Sequence, residues 1–102
     1  MLVSQHNAWI HLVATLAALG LGLLLGISTL EWCAIVIAMV AVWTAEALNT
    51  AFETLCDVAS PEFHPQVKSA KDVAAGAVLI SAIGAAIIGL VIFGPRIAKL
   101  GG

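Results

Sequence analysis

The sequence predicts an all-α integral membrane protein with three transmembrane helices per chain. Of the 102 residues, 62% are hydrophobic and only 10% are charged, whereas soluble domains carry roughly 25% charged residues. The mean hydropathy is +1.10. Three long apolar runs occupy most of the chain, which leaves no room for a separate soluble catalytic domain. We therefore expect a single membrane domain over residues 1–102, with any chemistry taking place at the membrane.

The charged residues and cysteines exclude two other classes of site. Four Lys and Arg residues and a net charge of −2 provide no basic patch, so nucleic acid is not expected as a partner. Cys33 and Cys56 lie within apolar runs and lack the CxxC spacing of a metal or redox motif. We interpret both as small apolar packing residues.

The first predicted transmembrane helix covers about residues 9–27 and is interrupted only by His11 and Thr15. Roughly 19 residues with a rise of 1.5 Å each are just long enough to cross a hydrocarbon core about 30 Å thick. Ser28 and Glu31 then have the spacing of a capping box, which predicts a short turn and the start of a second helix. Helices one and two are therefore expected to form a tight hairpin.

The second and third predicted helices cover about residues 30–58 and 73–93. Ser60 and Pro61 predict the end of the second helix, because proline disrupts helical hydrogen bonding, and a polar connector is expected over residues 59–72. Gly94 and Pro95 predict the end of the third helix. The two lysines of the connector balance Arg96 and Lys99 beyond the third helix, so the positive-inside rule gives no orientation.

A polar stripe formed by Glu46, Asn49, Glu53 and Asp57 is predicted on one face of the second helix. At about 100° per residue the four side chains fall within an arc of roughly 80° and rise about 16 Å along the axis. A carboxylate at mid-membrane costs about 2.5–3.5 kcal/mol, so compensation is required. Two explanations remain open: structural hydrogen bonds across an oligomer interface, or a deep carboxylate that accepts a proton with shallower ones that bind a metal ion.

Lys71 and Asp72 precede the third predicted helix at about the level of Asp57. A lysine ammonium at this level is suited to binding phosphate, although an interfacial lysine whose charge reaches the headgroups is the alternative. His64 either orients a nucleotide or is an ordinary loop residue. A ridge of small residues on the third helix predicts close packing with a neighbouring helix: Ala77, Ser81, Ala85 and Gly89.

Three strings in the sequence resemble a known family. AEALNTAFETLCD and HPQVKSAKDVAAGAV are similar to the signature of the small prokaryotic diacylglycerol kinase and undecaprenol kinase family, E-x-x-N-x-x-x-E-x-x-x-D followed by A-K-D. The upstream string NAWIHLVAT resembles the N-x-R-I-H motif at the start of the family's first transmembrane helix. The resemblance covers most of the chain, and the string AKDVAAGAV is closer to the undecaprenol-using branch.

The resemblance implies a homotrimer that transfers the γ-phosphoryl group of MgATP to the hydroxyl of a membrane lipid alcohol, with active sites shared between protomers. It implies that Glu46 is the catalytic base and Glu53 a Mg²⁺ ligand, with Asn49 and Asp57 as further site residues. It also implies nucleotide contacts from Glu62, Phe63, His64, Lys71 and Asp72. Because ATP is available in the cytoplasm, the connector is expected on the cytoplasmic side of the bacterial inner membrane.

The amino-terminal part of the chain departs from the family's pattern. Gln5 stands where many members place a second magnesium-binding Glu, and a neutral amide is a weaker Mg²⁺ ligand than a carboxylate. Trp9 stands where they place Arg. The amphipathic surface helix that precedes the first transmembrane helix in the family is expected to be largely absent.

Three functions are compatible with these observations. The first is a lipid kinase acting on diacylglycerol or undecaprenol. The second is a non-enzymatic oligomeric membrane protein whose acidic stripe lines a proton or cation path, and the third is a catalytically weakened member of the kinase family. Lys71 favours the kinase, because a cation path gains nothing from a lysine at its mouth.

Overall fold

The computed structural model consists of three α-helices, which confirms the predicted fold class. It describes the backbone of residues 2–101 and the side chains of residues 8–101. The helices are α1 (Leu2–Leu25), α2 (Thr29–Ala59) and α3 (Pro65–Gly101), and the described part of the chain contains no strand. Each helix is long and apolar enough to cross a membrane.

The turn between α1 and α2 is fixed by a helix cap on each side. Gly26 adopts a φ of +62°, and the Ile27 N–H donates to the Gly22 carbonyl at 3.3 Å, which is the hydrogen bond of a Schellman ending. The helix therefore ends two residues before the predicted limit. On the other side, the Glu31 N–H donates to Ser28 Oγ and the Ser28 N–H donates to Glu31 Oε1, at 3.2 and 2.9 Å. The predicted capping box is confirmed.

Packing between the helices is uneven. The Trp32 ring lies so close to Gly22 that a Cβ at position 22 would be 2.6 Å from it, so α1 and α2 approach each other closely at their turn. Beyond the turn, α2 packs far more extensively against α3 than against α1. The small buried core joins Ile27 and Ile35 to Ile92 and Phe93.

The connector before α3 is shorter than the predicted segment 59–72. The α2 helix ends at Ala59, with the Ser60 N–H donating to the Cys56 carbonyl at 2.8 Å. His64 then caps α3, because its Nδ1 accepts from the Gln66 N–H at 3.2 Å. Proline suits the first position of a helix, where no N–H is needed, and α3 accordingly begins at Pro65. Residues 60–64 alone separate the two helices.

The third helix is also longer than the predicted membrane segment 73–93. It continues through Pro95 to Gly101, and beyond this proline the Arg96 guanidinium forms an ion pair with Glu31 of α2. Its 37 residues correspond to about 55 Å of helix, and the longest dimension of the chain is 56 Å. Because a hydrocarbon core is only about 30 Å thick, the ends of α3 extend beyond it.

Most large apolar side chains of the described region point away from the chain's own core. Leu24 and Leu30 are 84% and 82% exposed, and similar side chains lie along all three helices. In water this surface would be strongly unfavourable. Cys33 and Cys56 are both free thiols, and only Cys56 is buried, so of the two predicted packing residues only Cys56 packs within the chain.

Candidate active site on the polar face of α2

The four residues of the polar stripe differ in burial along α2. Glu46 and Asn49 are buried, with 5% and 8% of their surface exposed. Glu53 is half-buried and Asp57 is exposed. The stripe therefore leads from the interior of the helix bundle to the end of α2 that adjoins the connector.

The buried end of the stripe contains a histidine of α1. His11 Nε2 lies 3.3 Å from Glu46 Oε2, but neither Glu46 carboxylate oxygen has an aligned hydrogen bond within the described residues. The two atoms are thus within ion-pair distance without hydrogen-bond geometry. A buried carboxylate in this situation is unfavourable unless a positively charged group or a donor compensates it, and the imidazole is placed to do so.

The position of His11 depends on two further side chains. The edge of its ring meets Trp43 of α2, with ring centroids 6.2 Å apart and an interplanar angle of 66°. Trp43 Nε1–H donates to Thr15 Oγ1 at 2.9 Å, and the Thr15 hydroxyl donates to the His11 carbonyl at 2.7 Å. Sequence reasoning did not include His11 among the site residues. Two signals were available: His11 and Thr15 lie four residues apart on one face of the otherwise apolar run 9–27, and His11 is the last residue of the string that resembles N-x-R-I-H.

Asn49 and Glu53 form the middle of the stripe. Asn49 Nδ2 donates to Glu53 Oε1 at 3.5 Å, while the buried Asn49 Oδ1 has no hydrogen-bond partner within the described residues. A carboxylate and an amide oxygen are both ligands suited to Mg²⁺. Across the side chains that the structure describes, no group of three His, Cys, Asp or Glu residues forms a metal cluster.

The outer end of the stripe is linked to α3 by an ion pair. Lys71 Nζ lies 2.9 Å from Asp57 Oδ1. The Glu53 carboxylate adds a second negative charge near the same ammonium group. Asp72 instead pairs with Lys68 at 2.9 Å. Consecutive residues of a helix point about 100° apart, so Lys71 and Asp72 face different directions. The structure brings Lys71, and not Asp72, to the polar stripe.

The connector residues make no polar contact with the stripe in the part of the chain that the structure describes. Glu62, Phe63 and His64 are exposed, and within the described region no hydrogen bond or ion pair joins them to α2. The observed role of the His64 ring is to cap α3. The side chain of Gln5 lies outside the described side chains.

Comparison with known proteins identifies the family. A family model described as prokaryotic diacylglycerol kinase matches residues 1–93. The chain is 39% identical over 94 residues to an undecaprenol kinase of Bacillus subtilis, an alignment that covers 92% of this chain and 76% of that protein. It is 34% identical over 98 residues to a diacylglycerol kinase of Synechocystis, which covers 95% of this chain and 56% of that protein. No solved structure matches the chain.

These matches confirm the resemblance seen in the sequence. They cover α1, α2 and most of α3, and therefore include both the polar stripe and the lysine that pairs with it. The chain belongs to the prokaryotic diacylglycerol kinase family, and it is a membrane phosphotransferase of the class that uses an alcohol group as acceptor.

Proposed function

We propose that this chain transfers the γ-phosphoryl group of MgATP to the hydroxyl of a membrane lipid alcohol, either diacylglycerol or undecaprenol. The observation that carries the proposal is the polar stripe, which begins at the buried Glu46 and ends at the ion pair between Asp57 and Lys71. Relatives named undecaprenol kinase and diacylglycerol kinase support both acceptors.

Glu46 is the proposed catalytic base. Its carboxylate is buried and neither oxygen has a hydrogen-bond donor within the described residues, so an oxygen is available to accept the proton of a lipid hydroxyl. The hydroxyl oxygen then forms a bond to the γ-phosphorus as the bond to the bridging oxygen breaks and ADP leaves. Such a reaction needs positioning and charge stabilisation more than covalent chemistry from the protein.

Glu53 and Asn49 are the residues that would hold Mg²⁺. Mg²⁺ in kinases commonly takes one or two carboxylates, keeps several waters and binds the substrate phosphates, so it does not need a cluster of three protein ligands. Asn49 Oδ1 has no hydrogen-bond partner among the described residues, and the same side chain contacts the Glu53 carboxylate through Nδ2, which fits this requirement. When bound, the ion neutralises charge on the phosphate oxygens. A further Mg²⁺ ligand at Gln5, whose side chain lies outside the described side chains, stays a prediction.

Lys71 is proposed to bind the phosphates of ATP as a point charge. Its ammonium group is held at the outer end of the stripe by Asp57, and its side chain is 35% exposed, so an incoming phosphate can compete for it. Further nucleotide contacts are proposed from the connector and the start of α3: Glu62, Phe63, His64 and Asp72.

A homotrimer with shared active sites is proposed for the assembly. The chain by itself exposes long apolar surfaces on all three helices, and a neighbouring copy would cover part of them through close helix packing. We place the protein in the bacterial inner membrane with the connector in the cytoplasm, where ATP is available.

The decisive experiment is a kinase assay in vesicles. Purified chain is reconstituted with either diacylglycerol or undecaprenol, and transfer of labelled phosphate from MgATP to lipid is measured together with ADP release. We expect lipid-dependent transfer that Glu46→Gln lowers about 10²–10⁴-fold, to a small residual rate. ATP consumption that is independent of added lipid alcohol, or no consumption with either lipid, would contradict the proposal. Proton entry into the same vesicles without ATP would instead support the cation-path alternative.

A further inference from the structure

The pairing of His11 with Glu46 lies in a region that contains few other charged groups. Residues 8–25 of α1 contain no other titratable side chain, and residues 73–93 of α3 contain none. Glu53 and the ion pair of Lys71 with Asp57 lie farther along α2, towards its outer end. His11 is therefore the one side chain in these parts of α1 and α3 that can place a positive charge beside Glu46.

Because the side chains of His11 and Glu46 are both mostly shielded from water, their contact affects how well the Glu46 carboxylate is stabilised. The side chains of His11 and Glu46 are only 14% and 6% exposed, so water does little to solvate the carboxylate. An isolated carboxylate in an apolar environment is strongly disfavoured, and a nearby donor or positive charge offsets much of that cost. Without the imidazole, the ionised carboxylate that a base requires would have no titratable partner among residues 8–25 of α1.

The histidine is also held in a defined place. Its ring meets the edge of Trp43, and the hydrogen bonds from Trp43 to Thr15 and from Thr15 to the His11 carbonyl join α1 to α2 at this level. Because α1 otherwise packs lightly on α2, these contacts set the register between the two helices around Glu46.

We propose that His11 is a positioning residue for the catalytic base: its Nε2, 3.3 Å from Glu46 Oε2 in this structure, donates a hydrogen bond to that oxygen during turnover, which leaves Oε1 to accept the proton of the lipid hydroxyl. This inference rests on the proposed function of Glu46. In the transfer step the hydroxyl proton passes to Glu46, the new O–P bond forms and the bond between the γ-phosphorus and its bridging oxygen breaks. The imidazole takes no part in the proton transfer itself. The catalytic site therefore extends from α2 onto α1.

A double-mutant cycle tests this role. We expect His11→Leu to lower kcat at least about tenfold, a part of the 10²–10⁴ that a positioned general base contributes, with an unchanged KM for MgATP. His11→Gln should recover part of the loss, because its amide retains an N–H donor. Thr15→Val, which keeps the imidazole, should cost less than His11→Leu.

The second arm of the cycle places His11→Leu in a Glu46→Gln chain. If His11 acts through the carboxylate, the second substitution causes no further loss of the residual rate, since interacting sites are not additive. An equal fold-loss in both backgrounds, or a loss confined to the KM for MgATP, would overturn the positioning role.

A measurement without turnover separates this proposal from the proposed function. The imidazole ¹⁵N signals of His11, assigned by their disappearance in His11→Gln, are recorded in detergent micelles. Glu46→Gln should shift them, whereas Glu53→Gln should not. Signals insensitive to Glu46→Gln would overturn the inference even in an active enzyme. A chain that shows the shift but phosphorylates no lipid would establish the contact and overturn both the proposed function and the positioning role of His11.

Discussion

Replacing Lys71 should lower the rate of phosphate transfer but leave the stability of the protein nearly unchanged. The ammonium of Lys71 has one ion-pair partner within the described residues, Asp57 at 2.9 Å, and the two side chains are 35% and 64% exposed. Ion pairs in contact with water are screened and contribute little to stability. Lys71→Met should therefore leave the thermal unfolding midpoint and the oligomer size nearly unchanged.

The expected effect on turnover is much larger. If the ammonium donates a charged hydrogen bond to an ATP phosphate, its loss should lower kcat/KM for MgATP roughly tenfold to 150-fold, the range that follows from hydrogen bonds to charged groups. The assay is phosphate transfer to lipid in vesicles over a range of MgATP concentrations. Because an ammonium acts as a point charge, Lys71→Arg should recover part of the loss.

Lys68 provides the matched control for this prediction. Its ammonium also lies 2.9 Å from a carboxylate, that of Asp72, and both side chains are exposed. Lys68→Met removes the same charge one turn earlier on α3, but from an ammonium that has no ion pair with the polar stripe within the described residues. We expect it to retain most of the activity. Equal losses in Lys68→Met and Lys71→Met, or an unchanged kcat/KM in Lys71→Met, would refute the reasoning.

Three further predictions concern the metal, the helix turn and the assembly. Glu53→Gln should raise the half-saturating Mg²⁺ concentration at least about tenfold with the oligomer intact, and an unchanged Mg²⁺ titration would remove Glu53 from the metal site. Gly22→Leu should destabilise the chain by about 1–3 kcal/mol, because the indole ring of Trp32 already occupies the space beside Gly22. Gly20→Leu is the control, since its side chain enters open space, and equal unfolding midpoints for the two variants would contradict this reasoning. Mixing Glu46→Ala with Lys71→Ala chains should restore activity if sites are shared, and no rescue in confirmed hetero-oligomers would argue against composite sites built in this way.

Local sequence signals predicted much of the architecture. The hydrophobic runs predicted three membrane helices because continuous apolar segments of about 20 residues cross lipid as helices, which satisfy their own backbone polar groups. The capping box of Ser28 and Glu31 was predictable because both partners lie within one helical turn. The limits of α3 were less predictable. A histidine ring can cap a helix, as His64 does, but no common sequence signal marks it, and the helix passes through Pro95 although proline usually ends one.

The candidate site was likewise predictable only in part from the sequence. The periodicity of α2 placed Glu46, Asn49, Glu53 and Asp57 on one face, since positions within a single helix follow from its pitch. The graded burial of these residues agrees with a stripe that leads outwards along the helix. For Lys71, neighbouring positions in the sequence did not predict its contact. The next residue, Asp72, points elsewhere, whereas the partner of Lys71 is Asp57, fourteen residues away.

The sequence by itself therefore determined the membrane environment, the number of helices and the polar face of α2, all of which depend on composition and on the period of one helix. Only the tertiary structure decided which helices supply partners to that face. The contact of His11 with Glu46 and that of Lys71 with Asp57 depend on the rotation and register of α1 and α3 against α2. Those variables are set by packing among many apolar side chains, and a single helical period carries no information about them.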